Sequence, residues 1–316
     1  AAGPSEGAPV LLLHGFGVSS GTYRRTLPAL AAAGYRTYAL DFLGFGASEK
    51  PRGVEFSINL WQELVGDFCD AFADSRPVIL VGNSLGSLVA MATAASFWGK
   101  ELKRVRGIVL LNCAAGMNSK FLTSSSLIPA PTRLFCALLF GIFDALLNFR
   151  PLVALAFEKL ASKENVAGVL ESVYVDSSAV DDDLVDGILA PAADDGALDV
   201  FTAVLSGEPG RTPDELFPLL VCPVHCIWGD DDTVTPLYGD IAYYGAYFRG
   251  LAEDSSLPHV SLNVVHAGHV PMDDAPAAVN ESLLAWLAQP PELLAMSPSE
   301  AAGAADAGEE DLELDD

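Results

Sequence analysis

The sequence has little positive charge and few charged residues of any kind. Lysine and arginine number 17 against 42 aspartates and glutamates, which gives a formal net charge of −25. A protein that contacts nucleic-acid phosphates needs a basic face, so this balance argues against nucleic acid as a partner. The charged fraction is only 19%, whereas hydrophobic residues reach 51%, which is ample for a large buried core.

Cysteines are also few, and their spacing is not that of pairs. The five cysteines lie at positions 69, 113, 136, 222 and 226. An odd number without paired spacing argues against a secreted disulfide scaffold and against a cysteine zinc site. We therefore expect buried thiols in a reducing compartment, and no bound metal. No signal or transit peptide is visible at the start of the chain.

The most informative motif is the pentapeptide Gly82-Asn83-Ser84-Leu85-Gly86. An apolar, β-branched run at residues 77–81 precedes it, and an alanine-rich run at residues 87–95 follows it. A serine on a Gly-x-Ser-x-Gly turn between a strand and a helix is the nucleophile elbow of an α/β-hydrolase. The glycines are needed because larger residues would collide with the adjoining strand and helix. The motif predicts Ser84 as the nucleophile of a serine hydrolase.

A second loop, His14-Gly15-Phe16-Gly17, follows the first predicted strand. Acyl transfer needs two N–H donors for the oxyanion, one after the nucleophile and one after an earlier strand. We predict that the N–H groups of Phe16 and Leu85 form this oxyanion hole. A similar pentapeptide at residues 17–21 contains Ser19, but the strand before it ends too early, in the oxyanion loop. We predict a solvated loop serine at that position.

The histidine of the site is expected after the acid in the chain. Strand-like runs at residues 223–228 and 260–265 each end in candidate residues, at the carboxyl ends of parallel strands, where open α/β sheets build their sites. We predict His269 as the general base, in a Gly-His-x-Pro turn. His266 is the alternative, although it lies within the strand or just beyond it.

Three consecutive aspartates, 230–232, provide the candidate acid. Asp232 is our prediction because it fits a Trp-Gly-x-x-Asp pattern typical of this fold, and Asp230 stays an alternative. Asn112 ends the preceding strand, where some relatives carry the acid, but an amide cannot serve as a carboxylate. Asp273 and Asp274 follow the histidine closely, and we expect them at a solvated helix start.

Residues 8–289 as a whole resemble an α/β-hydrolase. More narrowly, the chain resembles the plastid pheophytinase and chlorophyll dephytylase group of photosynthetic organisms. One departure is Ser87, where that group often has a glycine. The matching segments are Asp41-Phe42-Leu43-Gly44, Val81-Gly82-Asn83-Ser84-Leu85-Gly86, Leu110-Leu111-Asn112, Val169-Leu170-Glu171-Ser172-Val173-Tyr174-Val175-Asp176 and Ala267-Gly268-His269-Val270-Pro271.

The resemblance implies an α/β-hydrolase fold, with a mostly parallel twisted sheet flanked by helices and an inserted helical cap. It implies a cofactor-free carboxylesterase that converts chlorophyll or pheophytin to chlorophyllide or pheophorbide plus phytol. It also implies a chloroplast location, in the stroma or at the thylakoid, with peripheral membrane association and a transit peptide not present in this chain. Other lipophilic-ester or thioester hydrolases, C–C bond hydrolases and a non-catalytic receptor on this fold stay open as alternatives.

The spacing of the site residues predicts one core interrupted by an insertion. We assign residues 1–117 and 216–289 to the core, residues 118–215 to a helical cap and residues 290–316 to an acidic, disordered tail. Six parallel strands are expected, with the strand at residues 36–41 at an exposed edge of the sheet.

The most unusual part of the predicted cap is the apolar run from Arg133 to Arg150. A membrane span needs about 20 apolar residues, and this run is shorter and contains Asp144. It is apolar on nearly every side, unlike a simple surface helix. Two interpretations stay open: a helix buried between cap and core, or a wall for a long hydrocarbon substrate, with Phe140 and Phe143 as contacts and a membrane surface nearby.

Overall fold

The computed structural model describes residues 1–74, 76–239 and 244–289. Within these residues, six strands form one parallel sheet in the order β2-β1-β3-β4-β5-β6. The strands are β1 (Pro9–Leu13), β2 (Arg36–Leu40), β3 (Val78–Asn83), β4 (Val105–Leu111), β5 (Val224–Gly229) and β6 (Val260–Val265). The predicted parallel sheet is confirmed, and the predicted acidic tail, residues 290–316, lies outside the described residues.

Helices connect the strands. They are α1 (Thr26–Ala32), α2 (Ile58–Phe72), α3 (Leu85–Ala95), α4 (Phe97–Lys100), α5 (Phe121–Ser124), α6 (Ala130–Leu147), α7 (Arg150–Leu160), α8 (Lys163–Glu171), α9 (Asp182–Ala192), α10 (Ala197–Ser206), α11 (Pro213–Leu216), α12 (Gly245–Glu253), α13 (Pro271–Asp274) and α14 (Pro276–Leu287). Helices α5 to α11 all lie between β4 and β5, the interval in which we predict the cap. The limits of the cap and core stay a prediction.

The sheet is buried on both faces, as parallel sheets usually are. Every residue of β1 and β3 is buried, and alternate residues of β1 enter two different core clusters. Leu11 and Leu13 pack with Trp61 and Leu88 in one cluster, whereas Val10 and Leu12 belong to the other. This alternation follows from the period of two along a strand, and it anchors the loops that follow β1 and β3.

The edge strand β2 has one neighbour in the sheet, β1. On its other side, within the described residues, it meets only an isolated antiparallel bridge between Ala2 and Thr37. The Ala2 N–H donates to the Thr37 carbonyl at 2.8 Å, and the reverse bond measures 2.9 Å. The predicted edge position is therefore correct, and residues 1–8 shield it at a single point.

Helix α6 occupies most of the apolar run at residues 133–150, and its environment corrects one of our interpretations. None of its residues is buried. Leu134 exposes 75% of its surface to solvent and Leu138 exposes 65%. The expected burial between cap and core is wrong, because α6 contacts α5, α7 and α10 but leaves most of its circumference uncovered.

Candidate active site

Ser84 occupies the sharp turn between β3 and α3. Its backbone has a φ of 53° and a ψ of −117°, a strained conformation for a residue with a side chain. A Cβ on Gly82 would lie 2.2 Å from the Gly86 carbonyl oxygen, and a Cβ on Gly86 would lie 2.2 Å from the Leu13 carbonyl oxygen. Only glycine fits at these two positions, and the turn leaves Ser84 half-buried at the end of the sheet.

The structure brings Ser84, His269 and Asp232 together in one hydrogen-bonded chain. Ser84 Oγ lies 2.9 Å from His269 Nε2, and His269 Nδ1 lies 2.9 Å from Asp232 Oδ2. The Asp232 side chain is fully buried, whereas the His269 side chain keeps 11% of its surface exposed. An ionised carboxylate only accepts hydrogen bonds, so Nδ1 carries the proton and Nε2 is free to accept one from the serine hydroxyl.

The environment of Asp232 keeps its carboxyl group ionised. Burial alone would raise the pKa of Asp232, but hydrogen bonds from His269, Asn112 and Thr235 outweigh that effect and lower the pKa to about 2. A buried carboxylate with this pKa is charged throughout the neutral range. It therefore orients the His269 ring through the bond to Nδ1.

Asn112 and Thr235 are supporting residues that sequence reasoning missed. Asn112 Nδ2 donates to Asp232 Oδ2 at 2.6 Å, and Asn112 Oδ1 accepts from the Gly229 N–H at 3.1 Å. The Thr235 hydroxyl donates to the same carboxylate oxygen at 2.5 Å. The sequence did indicate that Asn112 lies near the site, because it directly follows β4, which pairs with β5. We considered it only as a candidate acid, a role that an amide cannot fill.

The loop that carries His269 is held from several sides. The His269 N–H donates to the Val173 carbonyl at 2.8 Å, and Asn83 Nδ2 donates to the His269 carbonyl at 2.9 Å. Asn83 directly precedes Ser84, so one amide side chain fixes the histidine loop against the elbow. The contact to Val173 fixes it against the chain that follows α8.

Asp273 and Asp274 are buried, so the expected solvated helix start is wrong. Asp274 accepts the Gly268 N–H at 2.6 Å and also the N–H groups of Val175 and Asp176. These bonds join the histidine loop to residues after α8, and they require the carboxylate to point inward.

The second carboxylate, Asp273, is fully buried and pairs with the Arg24 guanidinium at 2.8 Å. Arg24 also contacts Asp181 at 2.7 Å, just before α9. Buried charges persist in proteins when they are paired in this way. The two aspartates thus tie the cap interval to the core beneath it, which sequence spacing could not indicate.

The loop predicted to form the oxyanion hole lies beside the serine. A Cβ on Gly15 would lie 3.3 Å from Ser84 Cβ, so the chain leading to Phe16 passes directly over the elbow. Leu85 is the first residue of α3, and the first N–H groups of a helix have no intrahelical acceptor. The buried His14 ring accepts the Phe42 N–H at 3.1 Å and fixes the base of this loop.

The alternative residues lie apart from this arrangement. His266 Nδ1 pairs with Asp230 Oδ1 at 3.0 Å on the surface, with side chains 75% and 41% exposed. Ser19 caps a short 3-10 helix, Ser20–Tyr23, by accepting the Gly21 N–H. Among the described residues, no cluster of three or more histidine, cysteine or acidic side chains is placed to hold a metal ion.

An apolar cavity of about 260 Å³ lies between the core loops and helices α7 to α10. Ser19 and Lys50 are the polar residues of its lining, and Lys50 forms an ion pair with Asp194 at 2.8 Å. Phe140 and Phe143, the predicted substrate contacts, are not part of this lining because α6 lies farther out. Apolar lining residues include Phe16, Phe157, Leu170, Ile188, Val200 and Phe201.

Comparison with known proteins identifies the class to which this fold and site belong. Residues 10–282 match the model of the alpha/beta hydrolase family. The chain therefore belongs to the alpha/beta hydrolase family, and the predicted family membership is confirmed. It is a hydrolase by family.

Among curated proteins, the chain is similar to hydrolases with different activities. It is 24% identical to the uncharacterized hydrolase YugF of Bacillus subtilis, with 87% of this chain and 88% of that protein covered. It is 27% identical to chloroplastic pheophytinase of Arabidopsis thaliana, with 88% of this chain but 60% of that protein covered. It is 26% identical to 2-hydroxy-6-oxo-6-(2'-aminophenyl)hexa-2,4-dienoic acid hydrolase of Metapseudomonas resinovorans, with 90% of this chain and 85% of that protein covered.

Solved structures agree on the fold. An esterase from Thermogutta terrifontis is 20% identical, with a TM-score of 0.64 and 90% of both chains covered. A bromoperoxidase from Bacillus anthracis is 18% identical, with a TM-score of 0.66, 91% of this chain and 94% of that chain covered. At this level of identity the likeness extends to the architecture alone.

Proposed function

We propose that this protein is a cofactor-free serine carboxylesterase. The observation that carries the proposal is the chain of 2.9 Å contacts from Ser84 through His269 to the ionised Asp232. In the proposed reaction, Ser84 Oγ attacks the ester carbonyl carbon while His269 Nε2 takes the hydroxyl proton. The imidazolium then gives that proton to the leaving alcohol, and the acyl group stays on the serine.

Water completes the proposed cycle. His269 removes a proton from a water molecule that attacks the acyl carbonyl, and the same proton returns to Ser84 as the acid leaves. We assign the N–H groups of Phe16 and Leu85 to the negative oxygen that forms in both steps. Each step balances with water as the other reactant.

The cavity supports a proposal for the substrate class. Its apolar lining favours a hydrocarbon group, since each buried CH₂ contributes about 0.8 kcal/mol. A volume of about 260 Å³ lies below the roughly 300–1,000 Å³ usual for small-molecule sites. We therefore propose a lipophilic ester whose chain enters the cavity while any bulky ring stays outside it. Phe16 lines the cavity and also contributes its N–H group to the proposed oxyanion hole. This residue therefore connects the cavity with the oxyanion hole.

Within this class we propose the phytyl ester of chlorophyll or pheophytin as the substrate. The support is the similarity to chloroplastic pheophytinase and the apolar cavity. The chain spans 60% of that relative's length, so the proposal concerns the hydrolase part. With this substrate we also propose a chloroplast location.

The second candidate is hydrolysis of a C–C bond. It is favoured by the similarity to the hexadienoic acid hydrolase, which is as high as that to pheophytinase. A Ser–His–Asp chain cannot distinguish the two leaving groups by itself. The lining of the cavity offers the carboxylate group of a dienoic acid one cation, Lys50, which already pairs with Asp194 at 2.8 Å.

The deciding experiment offers the purified protein four compounds separately. They are chlorophyll a, pheophytin a, p-nitrophenyl butyrate and a 2-hydroxy-6-oxo-hexadienoic acid, with Ser84→Ala as the background control. We expect phytol release from at least one pigment, with poor turnover of the short ester. Rapid butyrate hydrolysis without phytol release would overturn the pigment proposal, and turnover of the dienoic acid alone would establish the C–C bond hydrolase.

A further inference from the structure

Among the described residues, ten of the 19 exposed large hydrophobic side chains lie in residues 134–155, within the segment formed by two consecutive helices. We define the α6–α7 apolar surface as the exposed large hydrophobic side chains of residues 134–155. Soluble proteins rarely expose contiguous apolar patches of this kind unless the patch binds something. Its members are Leu134, Phe135, Leu138, Leu139, Ile142, Phe143, Leu146, Phe149, Leu152 and Leu155.

Helix α6 has the composition of a helix in contact with lipid. Among the described residues, it is the helix that is long and apolar enough to cross a membrane, judged by length and composition. Helices with this composition usually lie in a protein core, but no residue of α6 is buried.

The charge around this surface differs from that of the rest of the chain. Residues 119–163 contain five of the 17 basic residues and two of the 42 acidic residues, a local charge of +3 in a chain of −25. Arg133 lies in the first turn of α6 and Arg150 begins α7, and the single acidic residue of α6, Asp144, pairs with Lys120 at 2.8 Å. Basic residues flanking an apolar helix suit the headgroup region of a bilayer.

Both ends of α6 return to the same folded domain. Just before α6, Ser126 Oγ donates to Asp214 at 3.0 Å, and just after it Arg150, which begins α7, bonds to Asp199 of α10. Crossing the bilayer would carry one of these ends to the far side and break its contacts. The geometry therefore favours a helix that lies in the plane of the membrane surface.

We propose that the α6–α7 apolar surface docks the protein on a lipid bilayer. In this arrangement the apolar side chains enter the acyl region to a depth of about 5–10 Å, and Arg133 and Arg150 meet the headgroups. The remainder of the molecule, which carries the negative charge, stays in water.

The docked surface leads to the cavity. Leu160 and Val169 line the cavity and are also 43% and 52% exposed. Phe157 lines the cavity from α7, the same helix that exposes Leu152 and Leu155. An apolar molecule in the bilayer thus has an apolar path over α7 to the cavity.

A second copy of the chain is the competing occupant of this surface. Two copies would bring together molecules of formal charge −25 each, and such charge opposes association. A bilayer of neutral lipids carries no such repulsion, and it accepts a helix that is apolar on nearly every side. These two points favour the bilayer.

The test uses the full chain and sedimentation with phosphatidylcholine vesicles, without any substrate. The variants are Phe135→Glu and Leu138→Glu, and the matched control is Phe97→Glu, at an apolar residue of α4 that is 71% exposed. We expect each variant on α6 to weaken vesicle binding at least about tenfold, since burying one such side chain contributes that much. The control should bind as the wild type does, at low and at high salt.

Several results would overturn the docking proposal. Wild-type protein that stays in solution with vesicles contradicts it, and so do α6 variants that bind as well as Phe97→Glu. Dimers in sedimentation velocity that dissociate in Phe135→Glu, without vesicle binding, would assign the surface to a second copy. Melting temperatures verify that the variants fold. Because no substrate is present, a failure here is distinct from a failure of the proposed esterase function.

Discussion

At the scale of single residues, the bond from Asn112 to Asp232 supports the whole hydrogen-bonded chain of the site. Asn112 has a φ of 47°, so Asn112→Gly removes the side chain without straining the backbone. A hydrogen bond to a charged group contributes about 1.5–3 kcal/mol. We predict that kcat falls at least about tenfold, with little change in KM, because the His269 ring is less firmly oriented.

The measurement for Asn112 is the pH profile of kcat, with Asn148→Ala as a control for an exposed amide. The acid limb of the profile should move upward in Asn112→Gly, because without this donor the coupled Asp232–His269 pair binds its first proton more tightly. If kcat and the acid limb are both unchanged in Asn112→Gly, the bond from Asn112 to Asp232 does not support the site.

His225 gives the fold a pH dependence of its own. Its ring is buried between Ser261 and Ser282 and stacks on Trp286, and burial lowers the pKa of His225 to about 4. The unfolded chain binds this proton near pH 6.5, so protons favour unfolding. Stability is therefore full above pH 6.5 and falls by up to about 3 kcal/mol as the pH drops to 4.

Urea denaturation at several pH values measures this effect in the wild type and in His225→Gln. The variant should lose much of the slope between pH 6.5 and 4, whatever its stability at neutral pH. Some slope should persist, since burial also lowers the pKa of His14. Identical slopes in both proteins would contradict the assignment to His225.

The residues of the site differ in whether a short sequence motif indicates their role. Ser84, His269 and Asp232 could be predicted because each lies in a short motif at the end of a strand. Asp274 could not, because its role depends on contacts with a distant segment of the chain, and Asn112 and Thr235 were missed although they lie after β4 and three residues after Asp232. A carboxylate such as Asp274 has the same sequence appearance whether it is solvated or accepts three backbone N–H groups.

At the scale of elements, the elbow between β3 and α3 is held by its glycines. Gly82→Ala would place a Cβ 2.2 Å from a backbone oxygen, and we predict a loss of stability of about 2 kcal/mol or more. Gly168→Ala is the matched control, because nothing lies within 4 Å of its position in α8. The control should gain up to about 1 kcal/mol. Equal melting temperatures for the two variants would contradict the steric argument.

Strands and cap helices differ in how well the sequence predicts them. The strands are short, β-branched and bounded by turn residues, so their positions were predicted within about two residues. For α6 the sequence left two interpretations open, and the one in which the helix is buried is wrong. Composition indicates that such a helix avoids water, but it does not indicate whether protein or something else covers it.

At the scale of the whole molecule, the core and the cap interval are joined at the site itself. Arg24 connects the start of the core to Asp181 and Asp273, and Asp274 binds the chain that follows α8. The cavity lies between these two parts, next to the loop of Phe16. Helix α7 lines this cavity through Phe157 and also exposes Leu152 and Leu155 of the α6–α7 apolar surface.

The central claim is that Ser84 is the nucleophile, and covalent labelling tests it most directly. A fluorophosphonate should react with the wild type and with Ser19→Ala, and peptide mapping should place the label on Ser84. Ser84→Ala should remain folded, take no label and lose at least about a thousandfold in ester turnover. A label on Ser19, or full turnover by folded Ser84→Ala, would contradict the account.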